Sequence, residues 1–335
     1  MKGLEAPLVG QSAAHRKLLA QLRRVAPTDA EVLLTGPTGV GKELYARHLH
    51  HLSRRSEGAF VPVNCGAVPH DLFENELFGH VSGAFTGARP HSEGLVTEAD
   101  RGTLFLDEVN SLALSSQVKL LRLIQEKEYR RLGESRTRRA DIRIVAATNS
   151  DLLAEVRERR FREDLFFRLR VIPITVPPLR ERSDDIPPIL AAFMTHYSAA
   201  YGLPQITFTA AALERLRTYA WPGNVRELEN CVRYLTCLQL TGPATADDLP
   251  LLDEVAPEAA WQEPDLTGLT LNAAKRELVT SFERKYLERA LRESRGNIAR
   301  AARQSGKARR AFFELMRKYG VQAASFGKES AAQIQ

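Results

Sequence analysis

The sequence predicts an α/β nucleotide-binding domain, built on a parallel sheet with a helical lid, followed by an all-helical helix-turn-helix domain. Three observations predict it. A glycine-rich turn, Gly36-Pro37-Thr38-Gly39-Val40-Gly41-Lys42, follows the apolar run Val32-Leu33-Leu34 and precedes a helical pattern beginning near Glu43. Further short apolar runs end in polar residues at Asn64, at Asp107-Glu108 and at Thr148-Asn149, as buried parallel strands do when they deliver side chains to one sheet edge. The basic segment near the C-terminus holds two helical patterns joined at Ser305-Gly306.

The glycine turn comes first. Glycines let successive backbone N–H groups curl round a phosphate without a clashing Cβ, Lys42 reaches the outer phosphates, and the next helix adds its positive end. Glu43 stands where the broad pattern has a magnesium-binding serine or threonine, so Mg2+ must be held by another residue or through water. The strand pattern Thr103 to Leu106 ends in two carboxylates. Asp107 is placed to hold magnesium, and Glu108 to orient and deprotonate the attacking water. An acidic loop is the plainer alternative. Phe60-Val61-Pro62-Val63 ends at Asn64, whose amide can hydrogen-bond Glu108 and keep it from water. Ile142 to Ala147 delivers Thr148 and Asn149, which either sense the outer phosphate or cap a helix.

Arg162 and Arg168 lie six residues apart in a segment otherwise able to pack apolar side chains. Their fixed charge suits a transferring phosphoryl group, and such arginines are often supplied by a neighbouring subunit in a ring or dimer. Surface pairing with Glu163 and Asp164 is the other reading. Trp221-Pro222-Gly223-Asn224-Val225-Arg226-Glu227-Leu228 reads as a turn and helix start that either aims Arg226 at the nucleotide or leaves it on the surface.

The 335 residues, 44% of them hydrophobic, suffice for one sizeable core and smaller domains. Cys65, Cys231 and Cys237 have neither metal spacing nor a disulfide pattern, which points to a reducing cytoplasm. No apolar stretch is long enough to cross a membrane. The boundaries expected are 8–178 for the α/β part, 179–251 for the helical lid, 252–269 for a linker, 270–321 for the terminal helical domain and 322–335 for a tail.

Within that terminal domain, Phe312, Leu315, Met316 and Tyr319 fall at inward-facing helical spacing, leaving Lys307, Arg309, Arg310, Arg317 and Lys318 for phosphates or base edges. Seven basic residues and one acid, Glu314, lie between Gly296 and Gly320. That excess suits the segment to double-stranded DNA, with a solvated helical hairpin of a lid or dimer domain as the plainer alternative, and which bases are read is not legible.

With these residues in view, the chain resembles the bacterial enhancer-binding proteins, the sigma-54-dependent transcriptional activators of the AAA+ P-loop ATPase class. The most specific element is Gly83-Ala84-Phe85-Thr86-Gly87-Ala88, which matches the family's GAFTGA loop in full. The resemblance implies that this loop contacts sigma-54 in the RNA polymerase holoenzyme, and that ATP hydrolysis in a homo-oligomer, a hexamer when active, converts closed promoter complexes to open ones. Gly36 to Lys42 resembles the Walker A loop, where a glutamate such as Glu43 commonly follows. Asp107 and Glu108 resemble Walker B, Asn64 the restraint on the catalytic glutamate, Thr148 and Asn149 sensor I, and Arg162 and Arg168 the trans-acting fingers. Arg226 resembles sensor II, Val9-Gly10 the start of the adenine pocket, and the terminal helices a Fis-like domain that binds enhancer DNA. Departures are Pro37-Thr38, Val81-Ser82 before the sigma loop, Arg170 after the second finger, and the recognition helix itself.

No sensory domain precedes Val9. The expectation is control by a separate regulatory protein, activity on expression, or a sensory domain missing from the N-terminus. A nucleotide-regulated DNA-binding repressor or architectural protein is the alternative function. A remodeller in replication or proteolysis shares the ATPase logic but gives no reason for the GAFTGA sequence.

Overall fold

The computed structural model describes residues 8–83, 92–251 and 297–321, with isolated positions between 273 and 294. It divides into two compact units at residues 251 and 252. The linker at 252–269, the tail at 322–335 and most of the helical pattern at 271–292 lie outside the described residues.

The first unit is built on five parallel strands: β1 (Val32–Thr35), β2 (Phe60–Asn64), β3 (Thr103–Asp107), β6 (Arg143–Thr148) and β7 (Ile172–Thr175). Their order is β2-β3-β6-β1-β7. Register pairs Asn64 with Asp107 and Thr35 with Thr148, so the strands carrying the candidate residues finish at one edge. A short antiparallel hairpin, β4 (Glu128–Tyr129) with β5 (Arg138–Arg139), stands apart from the sheet.

Alternation along each strand explains the layers. Leu33, Leu104, Leu106, Ile144 and Ala146 join one buried cluster, whereas Val32, Leu34, Phe105, Val145 and Ala147 join another. Successive strand side chains point to opposite faces, so apolar residues at both parities require cover on both sides. Helices α1 (Ala13–Val25) and α2 (Lys42–His51) supply it on the second face through Leu18, Leu22, Tyr45 and Leu49. On the first face it comes from α3 (His70–Phe78), α4 (Leu95–Glu98), α5 (Leu114–Glu126), α6 (Leu152–Arg157) and α7 (Glu163–Leu169).

After β7 a 3-10 segment, Leu179–Asp185, opens the helical lid, which continues as α8 (Ile186–Tyr201), α9 (Ala210–Thr218) and α10 (Asn224–Leu238). Trp221 anchors the lid core at 1% exposure and donates its indole N–H to Leu216 O at 2.8 Å. Val9, ahead of α1, packs on this lid cluster.

In the second unit, α11 (Ile298–Gln304) and α12 (Arg309–Tyr319) form a helix-turn-helix. Asn297 caps α11, with its side chain accepting from Arg300 N. Gly306 and Gly320 take left-handed φ at the turn and at the end of α12, conformations that cost glycine least. Phe312 and Met316 are buried, and Leu315 and Tyr319 are half-buried.

Candidate active site and nucleic-acid interface

The loop between β1 and α2 has its carbonyls engaged one after another. Lys42 Nζ donates to Gly36 O at 2.8 Å and to Pro37 O at 3.1 Å. Asn224 Nδ2 donates to Thr38 O at 3.0 Å, the backbone N–H of Arg226 to Gly39 O at 3.3 Å, and Arg182 Nη2 to Val40 O at 2.8 Å. Three of these donors belong to the lid. A trans peptide points its N–H opposite to its C=O, so tying the carbonyls of residues 38, 39 and 40 to the lid turns the N–H groups of Gly39, Val40 and Gly41 the other way. Such a row of converging donors at a helix start is an anion cradle.

Gly39 and Gly41 have φ of 80° and 94°. A Cβ on Gly39 would also fall 2.3 Å from Gly223 O, so this glycine permits the lid to approach.

Lys42 is buried, and burial pushes its ammonium below the ordinary lysine value. Asp107 and Glu108 oppose that shift, while the Arg226 charge adds to it. Burial in turn raises the carboxyl of Asp107, opposed chiefly by Lys42. Asp107 Oδ1 accepts from the N–H of Glu108 at 3.0 Å, and Glu108 adopts a left-handed φ of 55° as the chain leaves the strand.

The residues at the other strand ends divide. Asn149 Nδ2 donates to Thr38 Oγ1 at 3.0 Å, directly on the phosphate loop. Thr148 is buried and donates to Asn110 Oδ1 at 2.8 Å, while Asp151 caps the following helix. The expected Asn64–Glu108 hydrogen bond is not among those of the described residues. Asn64 Oδ1 accepts from Gly66 N and Ala67 N at 2.9 and 3.0 Å, which uses the carbonyl side of the carboxamide on the turn that follows β2 and leaves Nδ2 as its donor. Glu108 Oε2 lies against the same turn, 2.4 Å from where a Cβ on Gly66 would stand.

Arg162 and Arg168 are both exposed, at the start and near the end of α7. Arg162 pairs with Asp164 at 2.7 Å, and its backbone N–H donates to Oε1 of the buried Gln117 at 2.8 Å. The Arg226 side chain is exposed, with its backbone on the phosphate loop. The Gly10 backbone is crossed by the His15 ring, 2.7 Å from where a Cβ would stand.

Ala84 to Ala88 lie outside the described residues; Gly83 is described, with φ of 80°. The feet of that loop are tied. His80 and Ser92 exchange backbone hydrogen bonds at 3.1 and 3.0 Å, and Val81 N donates to Leu132 O at 3.1 Å.

On the second unit, Lys307, Arg309, Arg310, Arg317 and Lys318 are exposed. Arg310 reaches Glu314 at 3.3 Å, an exposed pair of little energetic weight. Phe313, which the sequence reading left without a role, is 53% exposed on the same helix. Asn224, Arg182 and Gln117 were likewise missed, since their partners lie tens of residues or more away in the chain.

Residues 8–175 match the Sigma-54 interaction domain, 180–262 the AAA+ ATPase lid domain, and 279–319 the bacterial regulatory protein, Fis family. The chain is 45% identical over 316 residues to the nitric oxide reductase transcription regulator NorR1 of Cupriavidus necator, covering 89% of this chain and 61% of that protein. It is 40% identical over 338 residues to the DNA-binding transcriptional regulator NtrC of Azospirillum brasilense, covering 94% and 70%. It thus spans about three fifths of the length of the Cupriavidus regulators it matches. Among solved structures, NtrX from Brucella abortus in complex with ADP superposes with a TM-score of 0.70 at 34% identity, covering 95% of this chain and 70% of that one. Its complex with ATP gives 0.68 at 35%, covering 94% and 69%. Given the parallel sheet, the lid closed on a phosphate loop and the terminal helix-turn-helix, these matches show that the chain belongs to the sigma-54-dependent enhancer-binding activators.

Proposed function

We propose that this protein is an ATP-hydrolysing transcription activator that binds upstream DNA through α12 and remodels the closed complex of sigma-54 RNA polymerase into an open one. The observation that carries the ATPase reading is the phosphate loop, whose carbonyls are held from the lid while Lys42, Asp107 and Asn149 converge on it. The similarity to NtrX, which was crystallised with ADP and with ATP, supports the choice of nucleotide.

Each residue then has a task. The N–H groups of Gly39, Val40 and Gly41 cradle phosphate, and Lys42 turns from its loop carbonyls to the outer phosphates. Glu108 orients and deprotonates the attacking water, Asn64 holds the turn against which Glu108 rests, and Asn149 reports the outer phosphate to β6. Arg162 and Arg168, exposed on α7, serve the nucleotide of a neighbouring copy, which makes the working form a ring, taken as a hexamer. Arg226 reaches the same phosphates from the lid.

Among the described residues no group of three or more metal-ligating side chains could cage an ion. Magnesium is commonly held by one or two carboxylates and the substrate phosphates. Asp107, with Glu108 beside it, would hold it, and the ion would neutralise charge on the phosphates. The loop around Gly83–Ala88 is the element read by sigma-54, carried on the feet His80 and Ser92. The protein's place is the cytoplasm. Phosphate release from ATP by the purified chain with magnesium tests the ATPase reading, and absence of turnover at any protein concentration contradicts it.

A further inference from the structure

A closed ring of buried polar contacts lies behind the phosphate loop. Arg182, in the first turn of the lid, is 3% exposed and sends Nη2 to Val40 O and Nη1 to Tyr45 Oη, each at 2.8 Å. Tyr45 Oη lies 3.0 Å from Nδ1 of His15 on α1, a ring 1% exposed. Asp185 is fully buried, 3.9 Å from Arg182 Nη1. It accepts from Gln11 N and Ser12 N at 2.6 Å and from Ser12 Oγ at 3.0 Å. Ser12 Oγ in turn accepts from His15 N, which returns the path to its start.

The protons in this ring have a fixed direction. A guanidinium only donates, so Tyr45 Oη accepts from Arg182 and its single hydrogen is free to go to His15 Nδ1. His15 is then a neutral imidazole carrying its proton on Nε2. A second proton would make Nδ1 a donor, so that two cations share the one phenolic oxygen and the Tyr45 hydrogen loses its acceptor. The groups facing the ring are Tyr45 and His48 from α2 and Arg182 and Asp185 from the lid, and only Asp185 favours a cation. Burial and the neighbouring cations hold His15 below the ordinary histidine value.

We propose that Tyr45 is a positioning residue that fixes Arg182 on the Val40 carbonyl, and that His15 makes this brace proton-sensitive, so that nucleotide affinity falls when His15 takes a proton. The inference rests on the nucleotide-binding reading of the loop. Its chemical reason is the peptide between Val40 and Gly41: Arg182 holds the carbonyl, and that orients the Gly41 N–H toward phosphate. Neutral His15 favours the oriented loop, and by linkage a bound nucleotide disfavours protonation of His15.

The test is the dissociation constant of a fluorescent ADP analogue on the full chain between about pH 5 and pH 8, a range that extends below the ordinary histidine value because His15 is held under it. Three proteins are compared: wild type, Tyr45→Phe and His15→Gln. A glutamine carbonyl can still accept from Tyr45 but does not titrate. The ratio of wild type to His15→Gln cancels protonation of the nucleotide and of Asp107. The expected result is a loss of affinity toward pH 5 about threefold larger in wild type than in His15→Gln, with Tyr45→Phe weaker by about fivefold at pH 8. Thermal melts at pH 8 show that each variant is folded. Identical pH profiles for wild type and a folded His15→Gln protein overturn the proton role, and undiminished affinity in Tyr45→Phe overturns the positioning role. Should the wild type bind no nucleotide at any pH, the ATPase reading itself fails and this inference falls with it. Binding by wild type with either flat comparison overturns the inference alone.

Discussion

The side-chain amide of Asn149 donates to Thr38 Oγ1 at 3.0 Å, so the end of β6 and the phosphate loop are in direct contact. Strand β6 lies between β1, which feeds the phosphate loop, and β3, which carries Asp107. In the proposed function a change at the outer phosphate would reach the sheet through this hydrogen bond. Asn149→Ala is expected to lower phosphate release at saturating ATP by about a hundredfold, as removal of a preorganised donor does. ADP affinity should stay within about threefold, since the cradle's N–H groups are untouched. Steady-state turnover with a parallel ADP titration checks both, and unaltered turnover removes Asn149 from the chemistry.

Lys42 and Glu108 should fail in different ways. Lys42→Ala removes the cation reaching the phosphates and is expected to weaken ATP binding by at least about tenfold. Glu108→Gln keeps the shape but not the base, and should bind ATP normally while losing about two to four orders of magnitude of turnover. Equilibrium binding and single-turnover hydrolysis separate these outcomes. A Glu108→Gln protein hydrolysing at the wild-type rate would require another base.

Arg162 and Arg168 are exposed on α7, and Gln117 holds the backbone from which Arg162 projects. If they act on a neighbour's nucleotide, Arg168→Ala binds ATP but turns it over about a thousandfold more slowly. Mixing it with Lys42→Ala should restore part of the rate, because some interfaces then pair an intact pocket with an intact donor. Activity of the Arg168→Ala protein equal to wild type, or no recovery on mixing, contradicts action in trans.

Acid should destabilise this fold through two buried histidines, His15 and His50, and the half-buried His48. His15, His48 and His50 are each held below the ordinary value, chiefly by burial. Between those lowered values and about 6.5 the unfolded chain binds more protons than the folded one, so stability rises with pH in that window. The melting temperature should be nearly level above about pH 7 and fall as pH drops below about 6.5. Thermal melts in matched buffers check this, and a level profile down to about pH 5.5 contradicts it.

The sheet was legible because its strands are short apolar runs, each stopping at a polar residue, and the phosphate loop because its glycines and lysine must stand at fixed spacing. Helix α12 was legible from Phe312, Leu315, Met316 and Tyr319, which the fold turns inward. What could not be read was pairing at a distance. Arg182 finds Val40 across 142 residues and Asn224 finds Thr38 across 186, and neither contact leaves a period or a local motif. Asn64 stands after a strand beside Glu108, but its carbonyl serves the turn at Gly66 and Ala67, a local role that the sequence did not show.

In the proposed function, ATP turnover is spent on opening a promoter. The most direct measurement is permanganate reactivity of promoter thymines with purified sigma-54 holoenzyme, this protein and either ATP or a non-hydrolysable analogue. Reactivity near the start site should appear with ATP, stay absent with the analogue, and be lost in Phe85→Ala and Thr86→Ala proteins that still hydrolyse ATP and bind DNA. Equal melting without hydrolysis, or wild-type melting by both loop variants, would contradict the account.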